Sequence, residues 1–190
     1  MGKWKITRVQ VTNLEFNTML LHGSAVSRYA DGATIPPIAQ TTAFQYETAE
    51  EHESVFCGRR PGFAYTRVGN PTVSAFERRI AEMEGGSRAY ACSSGMSAVA
   101  MALLNMLSSG DEIIAGAGLY GGTIDLFRDL RQFGIVTRFG QNMTVEEIEP
   151  LLNDRTRVLF GEVIGNPSLA VTDIRKIAGF AHQIRHPARA

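Results

Sequence analysis

The chain reads as an α/β protein, a mostly parallel sheet with helices on both faces, preceded by a segment of extended arm and loops. Three observations predict this. From Pro71 onward, helical and strand periodicities alternate, the arrangement that builds a parallel sheet with crossover helices. Residues 1–70 show little periodicity and much turn chemistry, including Ile35-Pro36-Pro37 and the 58–62 segment around Pro61. At 190 residues, 44% hydrophobic and 20% charged, the chain has globular composition and enough length for one real core.

Each element follows from its local sequence. Asn70-Pro71 opens a helix, with Asn as cap and Pro at the first helical position, where its missing N–H costs nothing. Val73, Phe76, Ile80 and Met83 give that helix an apolar stripe, and Gly85-Gly86 ends it. Residues 89–92 read as a short strand. Residues 96–107 are apolar nearly all round, which predicts a buried helix. Residues 112–115 are strand-like, 123–133 form an amphipathic helix with Ile124, Phe127 and Leu130 on one face, and 135–139 alternate as a strand. Thr144 and Glu147 have capping-box spacing for a helix through Leu152. A strand over 157–163 follows, and Thr172 is placed to cap a last helix reaching about Gln183.

Charge and composition exclude several classes. Nineteen basic and nineteen acidic residues give zero formal charge, so nucleic acid and anionic membrane surfaces are not expected partners. No apolar stretch approaches the length of a membrane span. The opening Met1-Gly2-Lys3-Trp4-Lys5-Ile6 lacks a signal peptide's apolar core, and Ile6 stands where a myristoylation site wants Ser or Thr. Cys57 and Cys92, with His22, His52, His182 and His186, have no metal-ligand spacing, so no metal is expected. The expected location is cytoplasmic.

Four motifs carry chemistry. Ser93-Ser94-Gly95-Met96 joins a strand to a long helix, and free N–H groups at a helix start bind phosphate. The plainer reading is an ordinary Ser cap. Gly116-Ala117-Gly118-Leu119-Tyr120-Gly121 formally matches the dinucleotide fingerprint, but the next strand ends in Gly140-Gln141-Asn142 without the acid that would hold a ribose. Tyr120 reads better as a flat lid over a planar aromatic cofactor. Tyr65-Thr66-Arg67 pairs a phenol and a guanidinium two residues apart, which in an extended segment point the same way and suit a phosphate. In Glu162-Val163-Ile164-Gly165-Asn166-Pro167, Asn166 follows a strand and is placed to donate to a cofactor oxygen, the alternative being a plain Asn-Pro turn.

The order and spacing of these motifs resemble the pyridoxal 5′-phosphate (PLP)-dependent family of Cys/Met metabolism, from about Phe16 to about Gln183. The resemblance rests on Pro36-Pro37-Ile38-Ala39-Gln40-Thr41-Thr42-Ala43-Phe44, residues 65–72, Ser94-Gly95-Met96, Leu119-Tyr120-Gly121-Gly122-Thr123 and Gly165-Asn166-Pro167. It implies an N-terminal arm (1–70) and part of the large domain of a fold-type I PLP enzyme (71–183), acting on a small amino-acid substrate by γ-replacement or elimination. It implies that the Gly95 and Met96 amides hold the PLP phosphate and that Tyr120 stacks on the pyridine ring. Tyr65 and Arg67 would reach the phosphate of a neighbouring subunit's cofactor in a homodimer or homotetramer, and Tyr65 would assist proton transfer. Methionine γ-lyases look like Leu-Tyr-Gly-Cys-Thr at the tyrosine motif, whereas Gly122 stands here, which points to the O-acetylhomoserine sulfhydrylase type. The alternatives are a methionine γ-lyase and a cystathionine γ-synthase or lyase.

The departure from the family pattern is at the far end. Such enzymes carry PLP on a Schiff-base lysine, and the lysines here are Lys3, Lys5 and Lys176, none placed for that role. The family pattern continues into a strand reading roughly Gly-Ile-Pro-Leu-Val-Val-Asp-Asn, whereas this chain reads Ile184-Arg185-His186-Pro187-Ala188-Arg189-Ala190. One coding of that tail, shifted by a nucleotide, gives Ser-Gly-Ile-Pro-Leu-Val. The expectation is therefore an aberrant 184–190 tail after a frameshift, and a front part that is inactive alone. Two readings from other classes stay open: a nicotinamide-binding Rossmann domain, and a non-catalytic companion subunit lending Tyr65 and Arg67 to a partner.

Overall fold

The computed structural model describes residues 15–23 and 33–184. The N-terminal hexapeptide with Lys3 and Lys5, and residues 185–190 of the tail, lie outside the described residues. The chain divides into two compact units, residues 1–91 and 92–190.

The first unit is built around three helices, α1 (Phe16–His22), α2 (Ala49–Phe56) and α3 (Pro71–Met83). Arm and loops were expected throughout residues 1–70, so α1 and α2 correct that reading. Both are too short for periodicity to reveal, and α2 is held by its cap, Thr48 accepting from the Glu51 N–H at 3.2 Å. The carbonyl of Met19, near the end of α1, receives the Arg79 guanidinium of α3 at 3.1 Å. α3 starts as expected: the Asn70 side chain accepts from the Thr72 N–H at 2.9 Å, with Pro71 first in the helix. Its stripe is not core, however, since Val73 and Phe76 are exposed and Ala81 is the buried member. Residues 89–92 form no strand. A strand needs a neighbouring chain for its N–H and C=O groups, and here the Ala91 N–H goes to the Glu77 carboxylate at 2.9 Å.

The second unit is the α/β layer structure the sequence predicts. Its elements are α4 (Gly95–Met106), β1 (Glu112–Gly116), α5 (Gly121–Leu130), β2 (Val136–Gly140), α6 (Val145–Ile148), β3 (Thr156–Phe160) and α7 (Ile174–Gln183). The three strands are parallel in the order β2-β1-β3, so β1 has neighbours on both edges and is buried along its whole length. Strand alternation sends Ile113 and Ala115 to one face and Ile114 to the other. The first face packs against Leu103 within α4 and Leu107 just after it, and against Phe127 and Leu130 of α5. The second packs against Ile148 of α6 and Ile177 of α7. The Phe127 ring meets Phe160 edge-on with centroids 5.2 Å apart and Phe139 at 6.2 Å. Burying a side chain of this size contributes roughly 2 kcal/mol.

Four local expectations change. α4 is not enclosed: Leu103 is buried, but Met101, Leu104 and Met106 are exposed, because among the described residues the sheet layer covers only one side of the helix. Thr144 and Glu147 make no capping box, since the Glu147 carboxylate instead accepts from the Asn142 N–H at 2.6 Å and its amide at 3.1 Å. The α-helix then ends at Ile148 and runs on as a 3-10 turn over 149–151. β3 stops at Phe160, where its pairing with β1 ends at Ala115. α7 is capped by Asp173, whose carboxylate accepts from the Lys176 N–H at 3.0 Å, while Thr172 donates to the Glu162 carbonyl at 2.7 Å. Among the described residues, no helix is long and apolar enough to cross a membrane.

The amino ends of the strands carry a buried acid network. Glu112, 2% exposed, accepts from Arg138 Nε at 2.6 Å and Asn153 at 2.8 Å, and pairs with Arg155 at 2.5 Å. Beside it, Asp111 pairs with Arg157 at 3.5 Å and accepts from the Ser108 N–H at 2.8 Å. The Asn153 hydrogen bond, aided by Arg138 and Arg155, holds the Glu112 carboxyl below the ordinary value of 4.5 against the opposing effect of burial. A depressed carboxylate pKa gives stability that is present above the unfolded-state value and lost as pH falls through the folded one. Urea denaturation should therefore show stability falling below about pH 4.5, the unperturbed carboxylate range. Glu112→Gln should reduce that acid-side slope and cost about 2 kcal/mol at pH 7. An unchanged slope in the variant would assign the acid sensitivity elsewhere.

Candidate functional site

In the first unit the site residues hang on Asn70. This side chain, 4% exposed, caps α3 and also donates to the Ala39 carbonyl at 2.9 Å and the Thr66 hydroxyl at 3.1 Å. Thr72 accepts from the Ala39 N–H at 2.8 Å and donates to the Pro37 carbonyl at 3.0 Å. Together they bolt the Pro37–Ala39 segment to the start of α3. Tyr65 bridges antiparallel to Ala43, and the Thr66 N–H bonds the Thr42 carbonyl at 2.8 Å. The chain then turns rather than running extended: the Val68 and Gly69 N–H groups both donate to the Tyr65 carbonyl, at 2.9 and 3.0 Å. Tyr65 and Arg67 nonetheless meet, because the turn folds the guanidinium over the phenol ring, 5.7 Å from its centroid.

In the second unit two helix starts converge. Ser94 caps α4 by accepting from the Ser97 N–H at 3.1 Å, and the Ser94 N–H donates to the Ser97 hydroxyl at 3.0 Å. This leaves the Gly95 and Met96 amides as the first-turn donors that the cap does not use. Gly95 has open space where a side chain would stand. The start of α5 lies alongside, with the Thr123 hydroxyl 4.0 Å from Met96 Sδ. Tyr120 immediately precedes α5, and its ring is half exposed. Its backbone is pinned by Glu162 beyond β3, whose carboxylate accepts the Tyr120 N–H at 3.0 Å.

Asn166 lies in the 161–171 loop, which sits directly against the β1–α5 loop. The Asn166 N–H donates to the Gly118 carbonyl at 3.3 Å, and a Cβ on Gly165 would meet that carbonyl oxygen at 2.7 Å. A Cβ on Gly118 would meet Ser168 Oγ at 2.9 Å. Close loop-to-loop contact therefore favours glycine at both positions, of which Gly118 alone belongs to the apparent dinucleotide fingerprint. The Asn166 side chain is exposed and makes no hydrogen bond among the described residues.

A cleft of about 670 Å³ opens at the carboxyl ends of the strands, lined among others by Gly116, Gly118, Asn142, Gly161, Ser168 and Lys176. None of Gly95, Met96, Tyr120 or Asn166 lines it. Lys176 is bonded to Glu146 at 2.8 Å, and that hydrogen bond raises its pKa above the ordinary lysine value. The pair is exposed, with about half of the Lys176 side chain in water. Thus the structure brings together the Gly95–Met96 and Tyr120 turns, with Asn166 joined to the latter through Gly118. Glu162 as the pin for Tyr120 escaped the sequence reading, although a carboxylate just beyond a strand was the available signal.

A helix start with two spare amides and no side chain at its first residue fits a phosphate, and a half-exposed tyrosine at the adjoining helix start fits a planar ring. Those are the features a phosphate-bearing aromatic cofactor would need. The chain matches the Cys/Met metabolism PLP-dependent enzyme family model over residues 17–188, and it belongs to that family. It is 36% identical over 171 residues to the homocysteine/cysteine synthase of Saccharomyces cerevisiae, covering 88% of this chain and 38% of the yeast protein. It is 35% identical over 169 residues to the L-methionine γ-lyase of Porphyromonas gingivalis, covering 88% of this chain and 42% of the relative. A Campylobacter jejuni crystal structure assigned as an O-acetylhomoserine (thiol)-lyase, carrying N′-pyridoxyl-lysine-5′-monophosphate, superposes with a TM-score of 0.79 at 32% identity. That match covers 90% of this chain and 42% of the other. The expected fold, part of the large domain of a fold-type I PLP enzyme, is thereby established, and the family's cofactor is PLP.

Asn70→Ala should remove a cap and two tertiary hydrogen bonds at once, costing about 2 kcal/mol in denaturant unfolding. Amide exchange at Thr66 and Phe44 should accelerate with it. Exchange confined to α3 would mean that Asn70 acts only as a cap.

Proposed function

We propose that this chain supplies the phosphate cradle and one ring-facing wall of a PLP-dependent enzyme that acts on sulfur amino acids or their O-acetylhomoserine-like precursors. The observation that carries it is the meeting of two helix starts, Thr123 against Met96 at 4.0 Å, which sets the spare Gly95 and Met96 amides beside the Tyr120 turn. The amides, at the positive end of α4, bind the phosphate; the Tyr120 ring stacks on the pyridine; the Asn166 amide donates to a ring oxygen. Tyr65 and Arg67 present a phenol and a guanidinium to the phosphate of a neighbouring subunit's cofactor in a homo-oligomer, and Tyr65 moves a proton near the substrate. PLP, when bound, supplies an electron sink that stabilises negative charge at the substrate carbon.

Within the family we favour γ-replacement of the O-acetylhomoserine sulfhydrylase type. Gly122 supports it, standing where the methionine γ-lyase form of the motif carries a cysteine; a Cβ there would meet the Tyr120 ring at 2.6 Å and require the ring to move. The lysine such catalysis uses is not Lys176, which is committed to Glu146. Alone, the chain should bind PLP weakly and turn over no substrate.

The test is an absorbance titration of the purified chain with PLP, followed by borohydride reduction and mass spectrometry. Saturable binding that Tyr120→Ala weakens, with no lysine labelled, is the expected result. Labelling of Lys176 would overturn the assignment of that residue, and no saturable binding would sink the cradle.

A further inference from the structure

Tyr120 precedes α5, and its ring folds back over that helix's own first turn. A Cβ built on Gly122 would meet ring Cε1 at 2.6 Å, Cδ1 at 3.3 Å and Cζ at 3.4 Å. These three atoms form one edge of the ring, so that edge occupies the space a side chain at 122 would take. The remainder is open, the residue being 51% exposed. The helical backbone at Gly122 has no positive φ that would demand glycine, and its three nearest contacts all come from Tyr120. Neighbouring Gly121 meets nothing within 4 Å. The missing side chain at position 122 therefore serves one group, the Tyr120 ring.

We infer that Gly122 is a positioning residue: by lacking a Cβ it sets the tilt of the Tyr120 ring, and with it the plane on which the cofactor's pyridine stacks. This rests on the proposed stacking role of Tyr120. Offset stacking depends on the relative orientation of the two planes. The Glu162 carboxylate fixes the Tyr120 backbone through its N–H at 3.0 Å but leaves the side-chain torsions free. The edge contact with Gly122 restricts them. A Cβ would push the ring by about 1 Å to regain ordinary carbon–carbon separation. The ring, at the end of a rotatable side chain, yields before the backbone does. Orientation is lost and the fold is kept, because alanine is a better helix former than glycine.

Two readouts test this. Without PLP, the Gly122 α-protons should carry a ring-current shift in NMR spectra that disappears in Tyr120→Ala. With PLP, absorbance titrations should show Gly122→Ala binding about three- to tenfold more weakly, with a melting temperature unchanged or raised. In a Tyr120→Ala background, Gly122→Ala should have no further effect, since the residue acts only through the ring. Parent-like binding by Gly122→Ala, additive losses in the double variant, or an absent ring-current shift each overturn the inference. Failure of the underlying reading looks different: Tyr120→Ala would then bind PLP as the parent does, and the inference would fall with it.

Discussion

The second unit depends on one constraint, the burial of β1 on both edges and both faces. Glu112–Gly116 has a strand on either side, so its backbone groups are paired within the sheet, and an apolar layer above and below, so its side chains need no water. Parallel neighbours cannot be joined by hairpins, so each must be reached through a crossover on a face of the sheet. α5 and α6 are those crossovers, and they lie on opposite faces. The same geometry delivers every strand-to-helix loop to one edge of the sheet, the edge where α/β proteins build their sites.

The two ends of the sheet have accordingly different chemistry. At the amino ends, Asp111 and Glu112 are buried carboxylates neutralised by Arg138, Arg155 and Arg157, whose side chains remain partly in water. Burial of such acids is tolerable only because their oxygens are filled by hydrogen bonds. At the carboxyl ends, glycines allow backbones to touch. Gly118 and Gly165 bring the β1–α5 and 161–171 loops into contact, and Glu162, carried on the second, reaches back to the Tyr120 amide on the first. The tyrosine is thus placed by an acid 42 residues away in sequence. In the first unit Asn70 has the comparable office, one buried amide tying a helix start to two separate stretches of loop.

Much of this was legible in the sequence where local rules and tertiary demands agree. The parallel sheet, β1, β2, α5 with Phe127 and Leu130 inward, and the Asn70-Pro71 helix start all follow from periodicity and capping chemistry. So do the helix starts at Ser94-Gly95-Met96 and after Tyr120, because a serine cap and glycines mark where a helix begins. The motif order carried the family. What remained hidden depends on partners distant in the chain. Residues 89–92 have strand composition, but composition supplies no neighbour to bond, and the Ala91 amide takes Glu77 instead. Glu147 had the spacing for a cap and found a better donor in Asn142.

The sequence by itself determined where a helix starts with free first-turn amides and where a tyrosine stands at a helix start, since those features belong to residue type and to the first turn of a helix. Only the tertiary structure decided that Met96 and Thr123 stand together and that Glu162 reaches the Tyr120 amide. The physical reason is that propensity and capping act within a few residues, whereas contact between loops is set by how helices and strands pack, and packing depends on the shape of the whole unit.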